Sequence, residues 1–386
     1  MHPDVVIVGA GMAGCAVAER LSAHCQVTIL EAGPEIAAEG AAQSAGMVRR
    51  LDPDPIDRAL AQQTYSHLTD AAPPELSEKT GAILAMVRDP LSLHDAVAHL
   101  RDRGIPVSPI EPSEVHALRE SPVHAAWHLP DERVTDGPRL AQHLLDMARR
   151  RGAKVHTGTP VERLIIEQGR CVGVATRTEH YLAEHTILAA GAWSAQLVQP
   201  LGIERPLIPL RRAAAHIKAS RPAPDRAWIW LDDVGLYAKP DGEGWVVSPC
   251  DEHPDRPVLA QSSTTDPSPA QWQLLSDKIA RYLPYLAQAR AVRGWTGLRT
   301  FCPDRRPILG PDEACPGLVW AAGLGGHGVS GCVGVGEAIS AWLLGRPTPW
   351  LDPSSVAPTR PQLQRWPIYP DGDPGRAKLI GVTQSR

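Results

Sequence analysis

Residues 5–14 read Val-Val-Ile-Val-Gly-Ala-Gly-Met-Ala-Gly, an apolar run that leads directly into the spacing Gly-x-Gly-x-x-Gly. The apolar run predicts a buried strand, and the small and apolar residues at 12–23 predict a helix packed on a sheet. Residues 26–31, Gln-Val-Thr-Ile-Leu-Glu, predict a second strand. Together these elements form the βαβ unit of a Rossmann-like α/β fold.

The spacing of this segment indicates a dinucleotide site. Gly9 permits the tight turn, Gly11 lets a pyrophosphate approach the backbone, and Gly14 lets the helix pack closely on the strand. The start of the helix then faces the phosphates. The carboxylate of Glu31 lies where it would bind ribose hydroxyls, and it would repel the extra phosphate of NADP. The alternative is a glycine-rich turn without a ligand. Two neighbouring cofactor-binding candidates are Ala13 and Ala32.

Length and composition limit the other possibilities. A chain of 386 residues is too long for one compact core and predicts two domains. The net charge of -4, with no basic block beyond residues 149–151, disfavours a nucleic-acid partner. Seven cysteines without a CxxC pair predict neither a disulfide framework nor a metal site, and a cytoplasmic location fits best. No apolar stretch is long enough for a transmembrane segment.

Patterns further along the chain predict a second, β-rich region. Strand-like stretches at 207–218, 227–231, 235–239 and 244–248 are separated by turn residues, among them Pro222, and predict a substrate domain built on a largely antiparallel sheet. Helices are predicted at 56–70, 92–103, 113–119, 138–151, 269–289 (with Ser268 as N-cap) and 333–344. Because the dinucleotide-binding pattern brackets the β-rich region, the predicted domains are discontinuous. They comprise 1–85, 130–206 and 290–345 for the dinucleotide, 86–129 and 207–289 for the substrate, and a tail at 346–386, predicted to wrap the surface or to be partly disordered.

The identity of the dinucleotide follows from the later segments. The rest of the chain holds no second pattern for an NAD domain. Residues 189–194, Ala-Ala-Gly-Ala-Trp-Ser, close a later apolar strand with small side chains that let the backbone pass close to a ligand. A chain that returns several times to one dinucleotide domain favours FAD over NAD.

Several short motifs occur in a fixed order along the chain. They are Gly9–Gly14, Glu31, Gln43–Gly46, Ala189–Ser194, Leu236–Asp241, Gly297–Thr300 followed by Pro303–Asp304, and Gly325–Val329. In this order they resemble the D-amino-acid-oxidase-like (DAO) superfamily of FAD-dependent amine oxidoreductases. Within it the likeness is strongest to D-arginine dehydrogenase and glycine oxidase-type enzymes. The resemblance covers the chain from its start to about residue 345.

The resemblance implies roles for three side chains. Arg299 would clamp a substrate carboxylate, since a guanidinium forks onto both oxygens. Tyr237 would hydrogen-bond the same carboxylate or cover the site, and His327 would either touch substrate or help to pack the loop. From the residues alone, Arg299 in an ion pair and Tyr237 as a half-buried strand residue remain alternatives. Arg211 or Arg212 would add positive charge, unless each lies in an exposed ion pair.

The resemblance also implies where the cofactor is held. The backbone of Val161 would lie against the adenine, and residues 326–330 would pass the flavin ring with N–H groups near its polar edge. The further cofactor-binding residues it implies are Gln43, Ser44, Ala45, Gly46, Met47, Ala190, Gly191, Gly326, His327, Gly328, Val329 and Ser330.

The chain departs from its relatives at three of these positions. Met47 stands where relatives like D-arginine dehydrogenase have a histidine, Asp52 stands near the place of a tyrosine, and Gln43 replaces the arginine of the usual Gly-Arg-Ser-Ala loop. D-Arginine is therefore not carried over as substrate. Gly297 occupies the position at which some relatives attach the flavin through cysteine, and Cys302 lies five residues later, so we expect non-covalent FAD.

These observations predict an FAD-dependent oxidoreductase that oxidises the C–N bond of a small amino acid, with D-amino acids favoured. Hydride transfer to flavin N5 would leave an imine that water hydrolyses to an oxo acid. Oxidation of a secondary amine (an N-alkyl amino acid, an opine or an imino acid) or of a 2-hydroxy acid is the first alternative. An inactive subunit or regulatory partner that keeps the fold is the second. The electron acceptor, whether oxygen, a quinone or another protein, is left open.

Overall fold

The computed structural model describes residues 4–88, 90–219, 225–255, 257–258 and 262–364. Within these ranges the α-helices are α1 (Met12–Leu21), α2 (Pro55–Ser66), α3 (His94–Asp102), α4 (Gly137–Arg150), α5 (Ser194–Val198), α6 (Pro269–Tyr282) and α7 (Gly328–Leu343). Helix α2 continues into a π-helical turn at His67–Ala71. None of the helices in the described ranges has the length and apolar character that crossing a membrane requires.

A six-stranded sheet forms the dinucleotide-binding part of the molecule. Its strands, in spatial order, are Ile308–Pro311, Leu318–Ala322, His185–Leu188, Val5–Val8, Val27–Leu30 and Lys154–His156. All neighbours are parallel except the first pair. The strand Val5–Val8 is fully buried because parallel strands are covered on both faces. Helices α1, α4 and α7 contribute to the core beside this sheet.

A nine-stranded sheet forms the second part. Its spatial order is His253–Pro254, Ile208–Lys218, Gly244–Ser248, Leu236–Asp241, Trp228–Leu231, Ala82–Met86, Ala125–Leu129 and Ser108–Ile110, with Arg290–Phe301 paired beside Ile208–Lys218. The only parallel neighbours among these described strands are Trp228–Leu231 and Ala82–Met86. Two three-stranded sheets complete the fold, one of Arg163–Glu167, Arg170–Ala175 and His180–Leu182, the other of Met47–Val48, Arg133–Thr135 and Ser77–Lys79.

Most of the predicted elements are confirmed. The βαβ unit occupies the predicted residues, and the predicted antiparallel strands of the β-rich region are present. Ser268 caps α6 in a full capping box with Gln271. Gln168 and Gly169 have φ of 50° and 78°, as the two-residue turn between the antiparallel strands Arg163–Glu167 and Arg170–Ala175 requires.

Three helix predictions are wrong in part. Residues 113–119 form two short 3₁₀ turns, Pro112–Glu114 and His116–Leu118, because a proline at the start and few apolar residues give no continuous helical face. Helix α6 ends at Tyr282, since Pro284 cannot continue it. Helix α7 begins at Gly328, five residues earlier than predicted, because close packing against α1 and α2 favours glycine there.

The predicted division into domains stays a prediction, and two segments depart from it. Residues 82–85 and 290–301, which the prediction assigns to the dinucleotide domain, pair within the nine-stranded sheet. In the tail, Leu351, Val356 and Arg360 are buried, so its first part packs on the molecule. Residues 365–386 and the predicted turn at Pro222 lie outside the described residues.

Candidate functional site

A cavity of about 440 Å³ opens at the carboxyl ends of the parallel strands. Val8, Leu30, Ala189 and Ala322 stand at or just beyond the ends of four strands of the six-stranded sheet, and all of them line it. This is the edge at which open α/β sheets bind dinucleotides, because loops from adjacent strands diverge there.

The glycine turn forms one wall of the cavity. Gly9 has φ +101°, and a Cβ on it would lie 2.7 Å from the carbonyl oxygen of Ala189. A Cβ on Gly14 would overlap the carbonyl oxygen of Gly9, so helix α1 can leave the strand at this close distance only with glycine there. A Cβ on Gly11 would meet nothing within 4 Å, so the space over this backbone is open to a ligand.

The carboxylate of Glu31 is fixed by main-chain groups. Ala10 N donates to Oε2 and Gly33 N donates to Oε1, both at 2.8 Å. These two bonds place the carboxylate between the glycine turn and the loop after the second strand. Each oxygen keeps acceptor capacity, because a carboxylate offers about four lone-pair sites.

The start of helix α7 forms the opposite wall. Gly325 and Gly326 have φ of +57° and +95°, and His327 is the residue before the first turn. The cavity is lined by Gly326, Gly328 and Val329. The free N–H groups of a helix N-terminus favour negative charge in this space.

The structure brings most of the sequence-predicted residues to this cavity. Those that line it are Gly9, Gly11, Ala13, Glu31, Ala32, Ser44, Val161, Ala190, Gly191, Arg299, Gly326, Gly328 and Val329. Those outside its lining are Gly14, Gln43, Ala45, Gly46, Met47, Tyr237, His327 and Ser330. Two residues outside the lining form hydrogen bonds with neighbouring segments. Ser330 Oγ accepts from Arg49 N at 3.0 Å, and Gly46 N donates to Ser44 Oγ at 2.8 Å.

Arg299 lies in the cavity wall without an acidic partner among the described residues. Its guanidinium donates to the carbonyl oxygens of Leu298 and Gln43, both at 3.0 Å. Burial lowers the pKa of Arg299, and the nearby Arg212 adds to this effect. A Cβ on Gly326 would lie 3.6 Å from both Arg299 Cδ and Arg212 Nη1, so two arginines flank this glycine.

Arg211 and Arg212 differ from Arg299 because both have acidic partners. Arg211 contacts Asp255 at 2.5 Å, and Arg212 contacts Glu252 at 2.9 Å. Glu252 also forms an ion pair with Arg305. Within the described residues, Arg299 is therefore the half-buried cationic group of this wall that no carboxylate neutralises.

Tyr237 stands near Arg299 on the nine-stranded sheet. Its ring is buried and stacks on Trp230 with centroids 5.4 Å apart and planes 18° apart. Burial raises the pKa of the phenol to about 12, and the positive charge of Arg299 opposes the rise. The hydroxyl is therefore neutral at physiological pH and can donate a hydrogen bond.

Gln43 places an unpaired acceptor behind Arg299. Its Nε2 donates to Glu39 at 3.2 Å and contacts Thr264. Its Oε1 is buried and has no hydrogen-bond partner among the described residues. A Cβ on Gly297 would overlap this oxygen, so the two residues fit together only with glycine at 297.

Five charged or ionisable side chains that sequence reasoning did not connect meet behind helix α7. We call Arg49, Asp52, Asp57, Asp232 and His327 the Arg49 cluster. Arg49 contacts Asp52 and lies 3.0 Å from Asp232 and 2.7 Å from His327 Nε2. His327 Nδ1 lies 3.4 Å from Asp57.

The cluster accounts for two positions singled out from the sequence. Asp52, noted there only as a departure from tyrosine, contacts both Arg49 and His327. The His327 ring is held by the cluster, and its predicted role at substrate stays a prediction. Ligand atoms of Asp52, Asp57 and His327 lie within 4.8 Å of one another, but the guanidinium of Arg49 already supplies positive charge beside them. A charge-rich loop such as 49–57 usually indicates a solvated surface, and for this reason the sequence did not reveal the Arg49 cluster.

The chain is similar to known proteins in both sequence and fold. The family model described as "FAD dependent oxidoreductase" matches residues 4–342. Glycine oxidase of Pseudomonas aeruginosa is 27% identical over 380 residues, covering 93% of this chain and 99% of its own. Peroxisomal sarcosine oxidase of Homo sapiens is 25% identical over 355 residues, covering 84% and 88%. The solved structure of glycine oxidase from Geobacillus kaustophilus superposes with a TM-score of 0.78 at 22% identity, covering 93% and 99%.

Proposed function

The chain belongs to the FAD-dependent oxidoreductase (DAO) family, and from this premise we propose that it oxidises the carbon–nitrogen bond of a small amino acid bound through its carboxylate. Membership makes it an amine or amino-acid oxidoreductase with FAD as cofactor. The proposal adds the carboxylate, the residues that hold it and a preference for D-amino acids, which the resemblance to D-amino acid oxidoreductases favours.

The observation that carries the proposal is the half-buried charge of Arg299, which no carboxylate of the described residues neutralises. A buried cation without a counter-ion costs free energy, and an incoming carboxylate would remove that cost. The planar guanidinium offers a fork of donors that matches the two carboxylate oxygens. Tyr237, neutral and close to Arg299, would supply one more hydrogen bond to the same group.

The residues of the cavity fit FAD. The open backbone of Gly11 and the start of α1 suit a pyrophosphate, and the fixed carboxylate of Glu31 suits ribose hydroxyls. We propose that FAD is held without a covalent bond, because Gly297 occupies the attachment position and Cys302 is buried.

The protein would contribute orientation and electrostatics. FAD, when bound, would accept the hydride from the α-carbon. Arg299 and Tyr237 would hold the carboxylate so that the α-hydrogen keeps one direction. The N–H groups at the start of α7 would favour the negative charge that develops in the cavity. Water would then hydrolyse the released imine to an oxo acid.

A secondary amine is the second candidate substrate. The similarity to sarcosine oxidase, 25% identical over 84% of this chain, favours it. Arg299 would bind the carboxylate of an N-alkyl amino acid equally well, so the two candidates differ only in the product. A primary amino acid releases ammonia, whereas an N-alkyl amino acid releases an amine or an aldehyde.

The proposal also covers the location of the protein and the molecule that accepts its electrons. All seven cysteines are free thiols, which supports a cytoplasmic location. Oxygen, a quinone and another protein remain the candidate acceptors.

The test begins with the visible spectrum of the purified holoprotein. We expect the flavin bands to bleach on anaerobic addition of one group from a panel of D-amino, L-amino and N-alkyl amino acids. Product analysis then separates the two candidate substrates. Bands that persist with every compound would reject the proposed reaction and favour the inactive-subunit alternative.

A variant tests the carboxylate contact directly. We expect Arg299→Met to lower kcat/KM for the best amino acid roughly 100-fold, the order found when one partner of a buried charge pair is lost. The matching amine without a carboxylate should react equally with both proteins. Arg305→Met, which removes an exposed arginine paired with Glu252, is the control. An equal loss for the amine would contradict a carboxylate contact.

A further inference from the structure

The buried wall beside Tyr237 contains a stack of three side chains. The ring of Trp230 lies between Tyr237, stacked at 5.4 Å, and the guanidinium of Arg49, whose Cζ is 4.2 Å from the ring centroid. Arg49 is 7% exposed, Tyr237 is 6% exposed and Trp230 is half-buried, so solvent screens the stack only in part. Such a partly desolvated cation–π contact is stronger than the same contact at a surface.

One carboxylate holds two members of this stack together. Asp232 Oδ1 accepts from Trp230 Nε1 at 2.9 Å and lies 3.0 Å from Arg49 Nη1. The indole therefore cannot turn in its plane without breaking its bond to Asp232. The guanidinium cannot slide along the ring without breaking the other.

The far side of Arg49 is fixed to the cavity wall. Its Nη2 lies 2.7 Å from His327 Nε2, and its main-chain N donates to Ser330 Oγ at 3.0 Å. Asp52 Oδ2 lies 3.2 Å from His327 Nε2 as well, and Asp57 Oδ2 lies 3.4 Å from Nδ1, so the ring is held from both of its nitrogens. His327 and Ser330 belong to the start of α7, the element that borders the FAD cavity. Arg49 thus joins the cofactor wall to the wall that carries Tyr237.

We propose that Arg49 is the positioning residue for Tyr237 and that it acts through the ring of Trp230. This inference rests on the proposed function, in which the Tyr237 hydroxyl meets the substrate carboxylate. Arg49 holds the ring of Trp230 in place, and Trp230 holds the ring of Tyr237 in place by stacking on it. The Tyr237 hydroxyl therefore keeps one position relative to Arg299. Substrate affinity therefore depends on Arg49, although the ring of Trp230 separates Arg49 from Tyr237, the residue that meets the substrate.

The chain offers a matched control for the test. Arg50 is the next residue, is 3% exposed, lies over the ring of Tyr65 at 3.5 Å and forms an ion pair with Glu132 at 2.9 Å. It is thus also a buried arginine stacked on an aromatic ring and paired with a carboxylate. It differs from Arg49 in having no contact with Trp230 among the described residues.

The experiment compares Arg49→Lys with Arg50→Lys in the FAD-loaded protein. Lysine keeps the charge and loses the planar group that covers the indole. We expect Arg49→Lys to raise KM, and the Kd of benzoate read from the flavin spectrum, roughly tenfold while kcat changes less than about threefold. Trp230→Phe, which keeps a stacking ring, should recover most of the affinity that Trp230→Ala loses. Arg50→Lys should lower the melting temperature and leave KM unchanged.

Crystal structures of the two lysine variants supply a readout that needs no turnover. We expect the Tyr237 ring to leave its stacked position in Arg49→Lys and to keep it in Arg50→Lys. An unmoved Tyr237 ring in Arg49→Lys, or an equal rise of KM in both variants, would overturn the inference. A wild-type flavin that no amine bleaches would instead reject the proposed function, and the crystal structures would still decide the role of Arg49.

Discussion

At the scale of single residues, the site depends on groups fixed by neighbours a few atoms away. Glu31 receives two main-chain hydrogen bonds, so its carboxylate is oriented before any ligand arrives. Arg299 is oriented in the same way by two carbonyl oxygens. In both cases main-chain groups use part of the hydrogen-bonding capacity of the side chain, and the rest remains available for a ligand. Such preorganisation lowers the entropy lost on binding.

The first prediction at this scale concerns Glu31. We expect Glu31→Gln to weaken FAD binding at least tenfold, because hydrogen bonds to a charged group contribute about 1.5–3 kcal/mol each. One amide oxygen replaces two carboxylate oxygens, and the amide NH₂ would face a main-chain donor. The Kd is measured by titrating the apoprotein with FAD and following the quenching of flavin fluorescence.

Glu35→Gln is the control for this measurement. Glu35 also lines the cavity but is exposed, so the same change of charge is made without loss of a buried acceptor. Equal Kd values for the two variants would show that Glu31 acts only through its charge.

At the scale of elements, helix α7 decides how the two walls of the cavity meet. A Cβ on Gly336 would lie 2.5 Å from the carbonyl oxygen of Ala16 in α1, and a Cβ on Gly334 would lie 2.8 Å from Leu60 Cα in α2. These glycines let α7 approach two helices at backbone distance. The same approach places the N-terminus of α7 at the cavity.

A substitution in α7 tests this packing. We expect Gly336→Ala to destabilise the protein by about 1–3 kcal/mol, although alanine is the better helix former, because backbone atoms on α1 cannot yield. Gly331→Ala should change stability much less, since its closest contact is Leu60 Cβ at 3.2 Å, a distance that a small shift relieves. Thermal melting of the holoprotein measures both. A Gly336→Ala variant at least as stable as wild type would contradict the close-packing account.

The elements also show what sequence could and could not predict. The glycine turn, Glu31 and the capping box of α6 are local patterns, in which partners lie a few residues or one βαβ unit apart. Arg49 and Asp232 are separated by 183 residues, and Arg49 and His327 by 278. Charged residues at such separations carry no signal that they meet. The Arg49 cluster could therefore be found only from the structure.

At the scale of the whole molecule, two clusters of opposite net charge lie close to the cavity wall. The Arg49 cluster holds three carboxylates against one guanidinium and an imidazole, whereas Arg212, Arg299 and Arg305 stand against Glu252 on the other side. A zwitterion placed between them would direct its carboxylate to the second group. The charges of the two clusters therefore favour the same orientation of the substrate carboxylate as the direct contact with Arg299.

The negative region makes stability depend on pH. Burial and the nearby charges of Asp52 and Asp54 raise the pKa of Asp57 to about 7, from an ordinary value near 4, although His327 and Arg49 oppose the rise. The pKa of His327 is also raised, because the attraction of Asp57 and Asp52 outweighs its burial. Both shifts mean that the folded protein binds protons more tightly than the unfolded chain. The contribution of Asp57 to stability is full below about pH 4 and is lost as the pH rises through 7, and the contribution of His327 is lost as the pH rises through its raised pKa.

The last prediction follows from this loss of stability with rising pH. We expect Asp57→Asn to gain melting temperature relative to wild type as the pH rises from 5 to 8, because the amide has no proton to lose. The difference should correspond to at most a few kcal/mol, since Asp57 and His327 share their protons. Asp277→Asn is the control, because Asp277 is an exposed carboxylate on α6 that accepts from Gln273 Nε2 at 2.8 Å, and its replacement should change the melting temperature equally across this window. A pH-independent difference between Asp57→Asn and wild type would mean that Asp57 keeps one protonation state from pH 5 to 8, which would contradict a pKa of about 7 for this carboxyl.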